Sequence, residues 1–217
     1  MTDIDSPALV AWIDRCAEQI HENRDLLSDL DSSTGDADHG SNLDRGFTAV
    51  SQTLPALAGE VPAELLKSTG MTLVDTIGGS SGALYGTLFL RMARAVGPDA
   101  STITREELAD ALAAGAEGIA ERGRVSVGDK TLYDALAPAV DALQAALADD
   151  VTLSAALQQA AEAAERGRDQ TADLVARRGR SSYTGERSLG TVDPGSASMA
   201  IVVRAAADTL GSDTVTR

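Results

Sequence analysis

Aromatic residues make up only 3% of this 217-residue chain, with one Trp, three Tyr and two Phe. A core so poor in rings must be aliphatic, and an Ala- and Leu-rich chain packs as close helices more readily than as a β-sandwich. Cysteine occurs once, at Cys16, so no disulfide can form within the chain, and its apolar neighbours suggest a core thiol. Positive charge is also scarce: 18 Lys and Arg against 33 Asp and Glu leave a net charge of −15. Phosphate backbones and anionic lipid repel such a chain, which argues against nucleic-acid binding but leaves nucleotides open through metal ions and local arginines. No stretch approaches ~20 uninterrupted apolar residues, so no membrane span is expected. The first ten residues lack the basic start and long apolar core of a signal peptide. The expected location is the cytoplasm.

What is present is helical periodicity. Leu9, Trp12, Ile13, Cys16 and Ile20 form one stripe, and Leu132, Leu136, Val140, Leu143 and Leu147 form another that Pro138 should disturb. Thr104 and Glu107 read as a capping box. Asp193-Pro194 reads as a capping carboxylate followed by Pro at the first helical position. Eight helices are expected, over about 7–28, 41–54, 62–77, 81–97, 104–122, 131–148, 152–177 and 195–210. Ile201–Val203 has strand character, but its neighbours are helix formers. The expected fold is all-α, a single domain over residues 1–217. In an antiparallel bundle alternate connections share an end, so the loops 29–42, 78–82, 123–131 and 179–195 should meet at one pole.

These four loops carry the unusual chemistry. Asp31, Asp36 and Asp38 put three carboxylates within eight residues, a hard-oxygen set suited to Mg²⁺ or Ca²⁺. An EF-hand starting at Asp36 fails, because its sixth position is Ser41 and its twelfth is Phe47. Asp25, Asp29 and Asp44 read as solvated helix residues. Gly78-Gly79-Ser80-Ser81-Gly82 runs into a helix, where free N–H groups favour an anion, but without the Lys of a Walker A motif. A simple interhelical turn is the alternative. The third loop could supply a nucleotide edge; equally, Asp129 and Lys130 fit an exposed ion pair and Thr131 a helix cap. The fourth holds Arg177, Arg178, Arg180 and Arg187 within eleven residues of an acidic chain. Arg180 and Arg187, inside the loop, suit phosphate binding. Arg177 and Arg178 read as helix-end charges. Of the two histidines, His21 reads as exposed and His39 as a contact residue beside the carboxylates. There is no zinc set, Ser-His-Asp constellation or Cys-His pair. A Mg²⁺–phosphate site remains.

Taken together, Gly35-Asp36-Ala37-Asp38-His39-Gly40, Gly78–Gly82, Gly128-Asp129-Lys130-Thr131 and Arg180–Ser188 with Asp193-Pro194-Gly195 resemble the nucleotide-binding L subunits of bacterial dihydroxyacetone kinases. The resemblance runs in order over nearly the whole chain. It implies an eight-helix antiparallel barrel with ADP or ATP and two Mg²⁺ at one pole. It further implies Asp31, Asp36 and Asp38 as metal ligands. His39, Gly40, Ser41, Asn42, Ser80, Ser81, Gly123, Leu132, Arg180, Asp193, Pro194 and Gly195 match nucleotide-contact positions. Ala37 stands where Gly is usual, and Leu132 where Met is common. The implied activity is phosphoryl transfer to dihydroxyacetone held covalently on a separate K subunit. A chain of one L-type domain resembles the free-standing kind, which favours a phosphoenolpyruvate-dependent relay through a phosphocarrier M subunit. Two alternatives stay open at this point: an ATP-dependent kinase for another short ketose such as a tetrulose, and a regulatory nucleotide-binding protein acting on a transcription factor.

Overall fold

The computed structural model describes residues 3–33 and 35–211; Thr34 and both ends of the expected 1–217 span lie outside the described residues. The chain is mostly helical. The helices are α1 (Ser6–Glu22), α2 (Arg24–Ser32), α3 (His39–Thr53), α4 (Pro62–Thr76), α5 (Gly79–Val96), α6 (Arg105–Gly123), α7 (Tyr133–Ala148), α8 (Leu153–Gln170) and α9 (Pro194–Thr209). Short 3₁₀ turns occupy Leu54–Leu57, Thr171–Asp173 and Arg180–Ser188. A two-residue antiparallel ladder between β1 (Ile4–Asp5) and β2 (Thr102–Ile103) qualifies the all-α expectation. Ile201–Val203 lies inside α9.

The expected first helix is two helices. The chain breaks at Asn23, whose backbone leaves helical geometry (φ −100°, ψ 9°) and whose side-chain amide caps the Gln19 carbonyl at 2.8 Å. The break lets α2 lie against the start of α3: a Cβ on Gly40 would fall 1.9 Å from the Arg24 carbonyl oxygen, so only glycine permits this approach. The helix expected over 152–177 ends at Gln170, where the Thr171 hydroxyl bonds the Arg168 carbonyl at 2.5 Å. Both capping signals hold. Thr104 and Glu107 exchange the two bonds of a capping box, and Asp193 accepts from the Ser196 N–H at 2.7 Å. Pro138 is accommodated inside α7.

From α3 onward each helix packs on the next in the chain, and α9 returns to pack on α1. The periodic stripes face inward: Leu9, Ile13, Cys16 and Ile20 are fully buried, with Trp12 beside them. The Trp12 indole N–H donates to the Val202 carbonyl at 3.1 Å, satisfying the one polar atom of a buried ring and fastening α1 to α9. The small Ala side chains of α8 and α9 allow close approach, and burial pushes the Cys16 thiol far above its ordinary pKa.

Candidate functional site

Residues from all four loops line one cavity of about 390 Å³, a volume typical of small-molecule sites. Its acidic corner begins at Asp31, in the last turn of α2. Buried there, Asp31 accepts backbone N–H groups from Asp38 (3.1 Å) and His39 (3.4 Å), which ties the end of α2 to the start of α3. A Cβ on Gly35 would lie 2.0 Å from Asp31 Oδ1, so this chain reversal requires glycine. Ala37 adopts a left-handed φ of 60° between the other two carboxylates. Glycine is usual there in the family it resembles, and Ala carries a steric cost in this backbone.

Asp31, Asp36 and Asp38 each offer an oxygen within 4.8 Å of the others. Three such oxygens fit a hard divalent cation. Arg180 provides the countercharge: its guanidinium pairs with Asp36 and lies 3.9 Å from Asp38. Partial desolvation raises the Asp36 pKa, but the hydrogen bond and charge of Arg180, the Asp38 side chain and a backbone hydrogen bond together outweigh it and hold the carboxyl below its ordinary value. A Cβ on Gly79 would lie 3.6 Å from Arg180 Nη2, so the same guanidinium also neighbours the start of α5. Free N–H groups and the helix dipole favour an anion there. Ala83, Leu84, Ile119, Val125 and Leu132 add an apolar stretch of lining, so the cavity is polar in one part and greasy in another.

Of the residues matched to nucleotide contacts, His39, Asn42, Ser80, Ser81, Gly123, Leu132, Arg180, Asp193, Pro194 and Gly195 line the cavity with the three aspartates. Gly40 and Ser41 lie off its lining; Gly40 is pressed on α2, and the Ser41 hydroxyl bonds the Asp38 carbonyl at 3.0 Å. Arg187 also lies off it, whereas Arg178, expected to be a helix-end charge, lines it together with Arg122. Neither Arg178 nor Arg122 carries a local sequence signal that separates it from solvated arginines.

His39 is buried, with Nε2 2.8 Å from the Ser198 hydroxyl, which in turn lies 2.8 Å from the Tyr85 hydroxyl. Burial lowers its pKa and favours the neutral ring. His21 is exposed and pairs with Asp44 at 2.9 Å. Lys130 departs most from expectation. Instead of an exposed partner for Asp129, it is 1% exposed and bonds backbone carbonyls.

Burial raises the Asp193 carboxyl from an ordinary 3.8 to about 7. The Asp134 charge adds to this, and the Ser196 N–H opposes it. A raised folded-state pKa means that the folded protein holds a proton the unfolded chain has released. Stability from this group is therefore full below about pH 4 and is lost as pH rises through 7. Asp193→Asn keeps a capping acceptor without the titration. Relative to that variant, the parent should lose on the order of 3–4 kcal/mol between these pH values in denaturant titrations. Parallel profiles would refute the assignment.

The DAK2 domain profile matches residues 33–208. An ADP-binding subunit, DhaL, of a PEP-dependent dihydroxyacetone kinase from Escherichia coli K12 is 40% identical over 196 residues, covering 90% of this chain and 93% of that protein. A Listeria innocua protein described as ADP-binding subunit DhaL of PEP-dependent dihydroxyacetone kinase 1 is 44% identical over 198 residues, covering 89% and 91%. Among solved structures, the dihydroxyacetone kinase of C. freundii in complex with AMP-PNP and Mg²⁺ superposes with a TM-score of 0.71 at 25% identity. The match covers 96% of this chain but 35% of that one, so this chain spans about a third of that kinase. A profile running from the first site loop to the end of α9, with relatives this similar along their length, means that the chain belongs to the DAK2-domain family.

Proposed function

We propose that this chain is the ADP-binding subunit of a phosphoenolpyruvate-dependent dihydroxyacetone kinase, passing the γ-phosphoryl group of a Mg²⁺-bound nucleotide to dihydroxyacetone on a separate K subunit. The observation that carries this reading is the convergence of three carboxylates, the Gly78–Ser81 turn and Arg180 on one half-apolar cavity. The family assignment supports it. Residues 1–217 form one domain in this reading: an antiparallel eight-helix barrel in which α1 closes on α9 and α2 is a side arm.

Asp31, Asp36 and Asp38 would hold the metal, taken as two Mg²⁺. The start of α5 with Ser80 and Ser81 would take the phosphates, and Leu132 with Gly123 would border the base. Bound Mg²⁺ would offset phosphate charge, the largest demand of phosphoryl transfer. Neutral His39 holds the start of α3 to α9 through Ser198, so the acidic corner and the Asp193–Gly195 turn keep one geometry. Recharging by a phosphocarrier M subunit and a cytoplasmic location complete the proposal. No helix among the described residues is long and apolar enough to cross a membrane.

Arg180 tests the site. Calorimetry should show Arg180→Ala weakening Mg-ADP binding by about 1.5–3 kcal/mol, the worth of a hydrogen bond to a charged group. Binding of Mg²⁺ alone should not weaken, because that change releases Asp36 from its ion pair. Arg177, whose N–H bonds the Asp129 carbonyl at 3.0 Å, tolerates Ala in this reading. Equal losses of Mg-ADP affinity from the two variants would remove Arg180 from the phosphate site.

A further inference from the structure

Lys130 and Lys67 are the only lysines in the chain. Lys130 lies between α6 and α7 in left-handed backbone, at a φ of 60°. Its Nζ donates to four backbone carbonyls: Thr171 at 2.8 Å, Leu174 at 3.1 Å, Ser188 at 2.5 Å and Thr191 at 2.6 Å. An ammonium has three protons, so the four acceptors share them. They form two sets, one from each end of the segment 171–191, and the ammonium therefore closes the neck of a loop. The Gly190 N–H to Ala172 carbonyl bond (2.8 Å) and the Ala176 N–H to Ser188 hydroxyl bond (2.9 Å) lie beside it. The arc held by that neck contains Arg178 and Arg180, which line the cavity.

Two costs meet at this residue. A buried cation loses hydration that its surroundings must replace, and burial accordingly pulls the Lys130 pKa down against the raising charges of Asp193 and Asp173. Left-handed backbone at a side chain larger than glycine adds strain. Asp129 and Asp134 build the turn that bears both. Asp129 accepts the Ser126 N–H at 2.9 Å, while Asp134 accepts those of Gly128 (2.5 Å) and Thr131 (2.7 Å).

We propose that Lys130 is a positioning residue that closes the 171–191 loop and thereby sets Arg180 and Arg178 against the cavity. Lys130 also borders the cavity, but its ammonium is taken up by the four carbonyls and acts through the loop. Only the binding arm of the test below rests on the nucleotide reading of the site; loop closure is measured without it.

The first measurement uses the unaltered protein. Lys67 is half-exposed and pairs with Glu64, so it serves as an internal reference for acetylation by a water-soluble succinimidyl ester. Under native conditions Lys130 should react roughly a hundredfold more slowly than Lys67, at the rate of local opening. Comparable rates in folded protein would overturn the closed neck. The second measurement is limited trypsin digestion. Lys130→Met should raise cleavage after Arg178, Arg180 and Arg187 about tenfold or more, because cleavage follows the population of the open loop. A folded Lys130→Met protein with the parental pattern overturns the proposal. If that variant does not fold, the acetylation result on the parent decides.

The third measurement separates positioning from general support. Lys130→Met should weaken Mg-ADP about tenfold in the parent and less than twofold in an Arg180→Ala background, since residues acting as one unit are not additive. Lys130→Arg, whose flat fork does not match a four-carbonyl cradle, should behave like Lys130→Met rather than rescue it. Fully multiplicative losses, or rescue by Arg, overturn the role. A parent that binds no Mg-ADP sinks the nucleotide reading, while acetylation and digestion still report on the loop.

Discussion

Mg-ADP is expected to raise the melting temperature of this chain far more than Mg²⁺ or ADP alone. Asp31, Asp36 and Asp38 bring their oxygens within 4.8 Å of one another, with Arg180 as their countercharge. A nucleotide phosphate approaching without metal meets this cluster as a like charge. A metal held by the three carboxylates would offset the repulsion between them and the phosphates, so each ligand would strengthen the other. A ligand specific for the folded state adds about 2.7 kcal/mol at a hundredfold excess over Kd. For a chain of this size that is a rise of roughly 5–10 °C. Asp36→Asn keeps the volume but removes a ligand charge, and should lose most of the joint rise. Asp44→Asn, which alters only the pair with exposed His21 outside the cluster, should keep it. If ADP in excess EDTA stabilises the parent as well as Mg-ADP does, the three aspartates are not metal ligands.

The second large effect is on turnover. Incubated alone with Mg-ATP and dihydroxyacetone, the chain should form no product above background, and a cognate K subunit should restore activity. The reason lies in which nucleophiles the cavity leaves available. The Lys130 ammonium is surrounded by four carbonyls, so it is not placed to capture a ketone. The His39 ring is buried against Ser198. Lys67 is engaged with Glu64 on α4, and His21 with Asp44, and neither lines the cavity. Among the described residues, none of these four side chains is placed to hold a ketone acceptor in the cavity. Turnover by the isolated chain matching that of the mixture would falsify this division of labour.

Much of the architecture was legible because its signals are local. A stripe such as Leu9, Trp12, Ile13, Cys16 and Ile20 states its own helix and its own buried face. Thr104 with Glu107, and Asp193 with Pro194, state where helices begin, since each cap needs atoms only three residues away. The carboxylate loop was legible for the same reason: Asp31, Asp36 and Asp38 are close in sequence, so a single turn brings them together. The break at Asn23 was less visible, because apolar spacing continues across it to Leu27 while the interruption lies in the backbone angles of one residue.

By itself, then, the sequence determined the helical class, the main helix starts and the acidic corner, all of which depend on residues within a few turns of each other. Tertiary structure alone decided which charges are solvated. Asp129 and Lys130 look like a surface pair, yet the carbonyls that draw Lys130 inward lie 41–61 positions further along the chain. Asp193 has an ordinary capping sequence, but burial among the packed helices raises its pKa to about 7. Arg178 and Arg187 are alike as residues, and only the path of the loop puts the first on the cavity and leaves the second off it. Burial and long-range hydrogen bonding are properties of the closed structure, since desolvation depends on every element that excludes water from a group, and no local stretch of sequence encodes that sum.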